Sequence, residues 1–226
     1  MLQLVRLGLF GFVVIVMVGR CPAQEALPRV LILGDSVYNG LAREVAKALK
    51  GKAEVVCKQP VPGRPFNSHS VLEDLAELLG EEPWDLIHFN VGLGDLVYRV
   101  PGIKSFRVTS KDSGGVRATN PADYEANLQG LVARLQKTQA KLVWASTTPI
   151  RSSSTRLFEP QSEVAYNAIA LRVMQSRGIT VNDMHAKVSG VIDLDRPTGF
   201  DPFSFDKKPI HPFVVEVIVK QLNLNP

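Results

Sequence analysis

The chain has 226 residues, 45% of them hydrophobic and 21% charged, with a formal charge of +4. That length holds one domain with a real core and needs no disulfides to do so. Two of the positive charges, Arg6 and Arg20, fall in an N-terminal segment unlike the rest. The body is therefore close to neutral, and it carries no Lys/Arg cluster interleaved with aromatics, which argues against nucleic-acid binding.

The first residues read as a targeting segment. Arg6 supplies a positive start, Leu7 to Val18 is an apolar run, and Cys21-Pro22-Ala23 offers a small-residue cleavage site. A membrane span needs about 20 apolar residues, and Arg20 interrupts this run first. Arg20 before Cys21 is also a poor fit to the small residue that lipoprotein processing requires. Residues 1–23 are thus expected to be a signal peptide, with 24–226 a single exported domain (periplasmic or secreted) that keeps no stable membrane insertion. Cleavage would leave Cys57 as the one cysteine, so no intramolecular disulfide and no cysteine-based metal site is expected.

Strand-like and helix-like segments alternate along the body. Val30 to Leu33 is a short aliphatic run bounded by turn residues, as in a buried strand. Val37 to Lys50 places Leu41, Val45, Ala48 and Leu49 on one helical face. Ala53 to Cys57 is a second strand, Ser70 to Leu79 a helix, and Trp84 to Val91 a third strand. A long polar loop follows from Gly92 to Thr119. Asn120-Pro121-Ala122-Asp123 opens the next helix with a capping Asn, Pro at the first position and an acid in the first turn; this helix runs toward Gln139. Lys141 to Ser146 is a fourth strand, Thr147 to Pro160 a Ser/Thr/Pro/Arg loop, and Ser162 to Ser176 a helix. Ile179 to Asn182 is a fifth strand and Pro212 to Leu222 a last helix. This order predicts an α/β, flavodoxin-like three-layer sandwich with a five-stranded parallel sheet.

In such a sheet the ligand lies beyond the carboxyl ends of the strands. Gly34-Asp35-Ser36 falls there, on the turn from the first strand into its helix. A serine at that turn presents its hydroxyl beside the backbone N–H groups of a helix start. The plain alternative is that Asp35 or Ser36 caps the helix. Gly63, Gly92 to Asp95 and the stretch from Asp201 to His211 fall on loops at the same edge. Of the other histidines, His88 lies within a buried strand, His69 at a helix start, and His185 in a loop or at a helix start.

Taken together, Gly34-Asp35-Ser36, a glycine after the second strand, a Gly-x-x-Asp after the third and a late His resemble the SGNH (GDSL-type) hydrolases, which are esterases, lipases and carbohydrate deacylases. The resemblance runs from Arg29 to Leu222. Trp84-Asp85-Leu86-Ile87-His88-Phe89-Asn90 and Trp144-Ala145-Ser146-Thr147-Thr148-Pro149 also look like exported bacterial members. It implies Ser36 as nucleophile, His211 as general base, and an oxyanion hole formed by the N–H groups of Ser36 and Gly63, with Gly94 a further donor. Neither a metal nor an organic cofactor is implied, and the substrate is a small ester or an acylated glycan.

The chain departs from that family twice. The third family block reads Gly-x-Asn-Asp, but here it is Gly92-Leu93-Gly94-Asp95. Gly94 can offer only a backbone N–H, and loss of one oxyanion donor costs about 10²–10³ in turnover in another serine hydrolase. Asn90 is nearby on the strand, and Asp95 remains to brace the loop. The last block, Asp-x-x-His, has Lys208 where the acid belongs. Asp206 is the nearest carboxylate and Asp201 the next, so either an acid or a backbone carbonyl orients His211. These departures leave open a second reading, a catalytically impaired protein that binds a glycan or other ligand through the same fold.

Overall fold

The computed structural model of the protein describes residues 26–58, 64–103, 106–151, 157–159, 161–195 and 210–225. The expected leader (1–23), Gly63, Asp201 and Asp206 lie outside the described residues. Five strands form the main sheet: β1 (Arg29–Leu33), β2 (Glu54–Lys58), β3 (Leu86–Phe89), and, numbered after a small inserted sheet, β7 (Lys141–Ala145) and β8 (Thr180–Asn182). All pair in parallel, in the order β2-β1-β3-β7-β8. This is the flavodoxin-like order, whose reversal point lies between β1 and β3. The expected α/β sandwich is the fold observed.

Successive side chains of a strand point to opposite faces, and the core divides accordingly. Leu31, Leu33, Ile87, Phe89, Leu142 and Trp144 face α2 (Ser68–Glu73), α3 (Leu75–Leu79), α5 (Pro121–Leu135) and α6 (Ser162–Ser176). Val30, Ile32, Leu86, Val143 and Ala145 face α1 (Ser36–Ala48), α7 (Met184–Ser189) and α8 (His211–Leu222). Burying both faces is what the nearly continuous apolar strands require.

Several elements differ from the sequence expectation. The helix expected over Ser70 to Leu79 is two short ones, broken at Asp74, whose carboxylate accepts from Arg64 Nη1 at 2.7 Å. The expected loop from Gly92 to Thr119 contains α4 (Leu93–Leu96) and a three-stranded antiparallel sheet. In that sheet β4 (Tyr98–Arg99) lies between β5 (Val108–Thr109) and β6 (Val116–Arg117). Two-residue strands are too short to show the alternation by which a strand is read. Helix α5 stops at Leu135 and closes through a 3-10 turn onto Gln139, which is left-handed at φ 61°.

Candidate active site

The first strand-to-helix turn is built residue by residue. A Cβ on Gly34 would lie 2.6–2.8 Å from Cβ, Cγ and Cδ2 of Tyr38, so only glycine lets the buried Tyr38 fold back over the turn. Tyr38 is held there by its ring, 5.6 Å from that of His88, and by its hydroxyl, which donates to the Ser146 carbonyl at 3.3 Å. Asp35 is the helix cap, and its carboxylate accepts from Val37 N–H at 2.9 Å. Burial pushes the Asp35 carboxyl up to about 6, against the bonds from Val37 and Tyr38 that favour its charged form.

With Asp35 as the cap, Ser36 is not consumed by that role. It is exposed at the first position of α1, and its hydroxyl makes no hydrogen bond among the described residues. The positive end of a 13-residue helix lies beside it, with the Val37 and Tyr38 N–H groups taken by the Asp35 carboxylate. Ser36 follows β1 and the Gly92–Asp95 segment follows β3, so the two flank the reversal point of the sheet.

Both glycines of that second segment are explained by close approach. A Cβ on Gly92 would meet Thr147 Oγ1 at 2.1 Å, and one on Gly94 would meet the Phe66 carbonyl oxygen at 2.1 Å. The position at which the family resemblance places an oxyanion Asn is therefore packed against the backbone that leads into α2. Asn90 does not substitute for it. Its Nδ2 donates to the Ala145 carbonyl at 2.9 Å and to Thr147 Oγ1 at 3.3 Å, tying β3 to the end of β7.

Asp95 is fully buried and accepts from Ser68 N–H at 3.0 Å and from Ser68 Oγ at 2.6 Å. Burial pushes its carboxyl up to about 6, outweighing the Ser68 and Thr119 hydrogen bonds. Asp95 thus acts as the expected brace. It fastens α4 to the start of α2 and so positions the segment that emerges just after Gly63.

His211 opens α8, half-buried, with Ile210 before it in the core beside α1. Asn182, at the end of β8, donates to the Phe213 carbonyl at 3.2 Å, whereas Lys141, at the start of β7, donates to the Gln221 carbonyl. Helix α8 therefore begins at the same sheet edge as α1 and packs alongside it. Glu44, two turns into α1, is held below its ordinary carboxylate range chiefly by Lys47, with the His211 charge adding to that. No hydrogen bond joins Ser36 to His211 among the described residues.

The remaining histidines are otherwise engaged. His88 is buried in β3, 3.3 Å from Asn182 Nδ2, and burial lowers its imidazole to about 4, so it is neutral. His69 lies 3.3 Å from Glu73 on the surface of α2. His185 lies at the start of the short helix α7, one of the two expected placements, with Nε2 3.6 Å from the buried Glu163. Burial likewise raises the Cys57 thiol to about 11. Among the described residues no group of three or more His, Cys, Asp or Glu side chains comes together as a metal site. A cavity of about 700 Å³ lies between the Arg64–Ser70 segment, the small sheet and the start of α5, beside the brace.

No family model matches the sequence, and no curated relative does. Solved structures do share the fold. One is an acetyl xylan esterase, at 15% identity and a TM-score of 0.62, covering 85% of this chain and 98% of that one. Another is a lipase/acylhydrolase from Enterococcus faecalis, at 17% and 0.65, covering 88% and 98%. A third is an acetylxylan esterase from Geobacillus stearothermophilus, at 12% and 0.61, covering 88% and 95%. Two further structures of the Geobacillus enzyme are of catalytic mutants, one with a serine and one with a histidine replaced by alanine. At these identities the likeness is one of fold, the three-layer sandwich with its five-stranded parallel sheet.

Proposed function

We propose that the protein is an exported serine esterase that hydrolyses carboxylic esters, with acylated glycans the preferred substrate class. The observation that carries this reading is the division of labour at the first turn: Asp35 caps α1 and Ser36 is left exposed at the helix start. The esterases that share the fold support it, as do the serine and histidine whose replacement defines catalytic mutants in one of them.

In this mechanism Ser36 Oγ attacks the ester carbonyl as His211 takes its proton, because a serine hydroxyl is a weak nucleophile without an adjacent base. The tetrahedral oxyanion is held by the N–H groups of Ser36, Gly63 and Gly94. The intermediate collapses to acyl-Ser36, and the alkoxide leaves with the proton from His211. Water, deprotonated by the same imidazole, then releases the acid and restores Ser36. Closing the reaction requires Ser36 and His211 to approach, and such contacts often tighten only when substrate is bound. Asp206 is proposed to orient His211. Residues 1–23 are proposed to direct export and to be removed.

The second reading, a glycan-binding protein with impaired chemistry, is favoured by one observation. The Phe66 carbonyl occupies the space in which a side-chain oxyanion donor at position 94 would stand. Turnover separates the two. The esterase reading expects hydrolysis of nitrophenyl acetate that disappears in Ser36→Ala, while circular dichroism shows an unchanged fold. Equal rates in parent and variant exclude Ser36 as nucleophile.

A further inference from the structure

The small sheet has two faces of different character. Cross-strand partners share a face. Tyr98 pairs with Thr109 and Arg117, and this row turns inward, where Tyr98 Oη donates to Glu159 at 3.2 Å and Arg117 is ion-paired with the same carboxylate. The opposite row is Val108–Arg99–Val116. Both valines are 42% exposed, and Arg99 lines the 700 Å³ cavity together with Ile103 and Phe106.

The charges around this cavity are unevenly satisfied. Arg64 is bonded to Glu73 and Asp74, His69 stands 3.3 Å from Glu73, and Asp123 accepts from Asn120 Nδ2 at 2.6 Å. Arg99 is half-buried and has no acidic or hydrogen-bonding partner among the described residues. A guanidinium flanked by aliphatic side chains in a concave wall is partly desolvated and presents a rigid fork that matches a carboxylate. On the facing wall Asn127 uses its amide nitrogen on Ser68 Oγ, which leaves its carbonyl oxygen for a hydroxyl donor. A volume of about 700 Å³ falls in the range of ligand sites. Arg64, in its wall, directly follows Gly63, the proposed oxyanion donor.

We propose that this cavity is a subsite for a carboxylate-bearing sugar of the glycan that carries the ester. It rests on the esterase reading for its place beside the reacting ester, but its binding is measurable without turnover. The sugar carboxylate takes both N–H groups of the Arg99 fork. The apolar face of the ring packs on Ile103 and Phe106, and a hydroxyl donates to Asn127. An acidic stretch of protein is the poorer occupant, because among the described residues of the lining Arg64 and His69 already face acids and Arg99 alone does not, which is not a broad basic face.

The test is calorimetry on the Ser36→Ala chain with two acidic probes, trigalacturonate and a glucuronate-branched xylo-oligosaccharide, each against its methyl ester. Removing the charge should weaken binding by about tenfold or more, the range expected of a charge-assisted pair. Arg99→Gln should bring the acid down to the level of its ester while leaving nitrophenyl acetate turnover in the Ser36 parent unchanged. Equal binding of acid and ester for both probes, no binding of either acid, or a charge preference that survives Arg99→Gln overturns the proposal. Acid-selective binding in a protein that hydrolyses no ester retains the subsite and removes the esterase reading, so the two failures are distinct.

Discussion

Gly94 is where the family resemblance and the structure make opposite forecasts. If Gly94 were simply a lost donor, Gly94→Asn would restore an amide to the oxyanion hole and raise turnover. The structure instead puts the new Cβ 2.1 Å from the Phe66 carbonyl oxygen, 2.8 Å from its carbon and 3.3 Å from Asn67 N. These are backbone atoms and cannot rotate away. Phe66 and Asn67 lead into α2, which is held by the three bonds from Ser68 to Asp95. Relief therefore means moving the segment after Gly63 by roughly an ångström, given ordinary contacts near 3.5 Å, and stretching those bonds. Overpacking of this kind costs about 1–3 kcal/mol, and weakening hydrogen bonds to a charged group adds about 1 kcal/mol or more. In a domain of this size each kcal/mol corresponds to about 2–4 °C, so the melting temperature should fall by roughly 5–15 °C. Gly94→Ala should fall nearly as far, since the Cβ is the atom both variants share. Thermal unfolding followed by circular dichroism, with nitrophenyl acetate turnover alongside, decides it. An unchanged melting temperature in Gly94→Ala, or a faster Gly94→Asn enzyme, refutes the reasoning.

The remaining predictions concern the brace, the imidazole and the leader. Asp95 has a folded-state value near 6 against an ordinary 3.8, so its proton is favoured by the fold, and its contribution is full below about pH 4 and is lost as pH rises through 6. Asp95→Asn should accordingly gain on the parent by about 3 kcal/mol between pH 4 and pH 7; urea unfolding across that range tests this, and a constant difference contradicts it. Asp206→Asn should lower turnover sharply with little change in substrate binding, whereas Asp201→Asn should leave kinetics near the parent; the reverse pattern transfers the orienting role to Asp201, and loss in neither leaves a Ser-His dyad. Intact-mass analysis of protein from its native host should find a chain beginning near Gln24 with no lipid, and a diacylglycerol adduct on Cys21 or an uncleaved Met1 form contradicts the export reading.

What was legible in the sequence follows how locally each feature is determined. Val30-Leu31-Ile32-Leu33 reads as a strand buried on both faces, and Val30 and Ile32 do face α1 and α8 while Leu31 and Leu33 face the other layer. The same local logic placed Gly34-Asp35-Ser36 on the turn and His211 at the start of the last helix. Whether Asp35 or Ser36 was the cap could not be read, because both residue types cap well and the choice depends on backbone geometry. Features made by distant segments were hidden. The role of Gly94 depends on Phe66, that of Asp95 on Ser68, and that of His185 on Glu163. A glycine two residues after another in a loop was the one available sign of close backbone approach. The two-residue strands β4 to β6 were illegible for a different reason, since their pairing rather than any periodicity defines them.

The central claim is an exposed, activated Ser36 that forms an acyl intermediate, and the most direct measurement is covalent capture by a fluorophosphonate probe. Peptide mapping of the labelled, folded protein should place a single adduct on Ser36, and labelling should vanish in Ser36→Ala and fall steeply in His211→Ala. Well-folded protein that takes up no probe, or an adduct on a residue other than Ser36, contradicts the account.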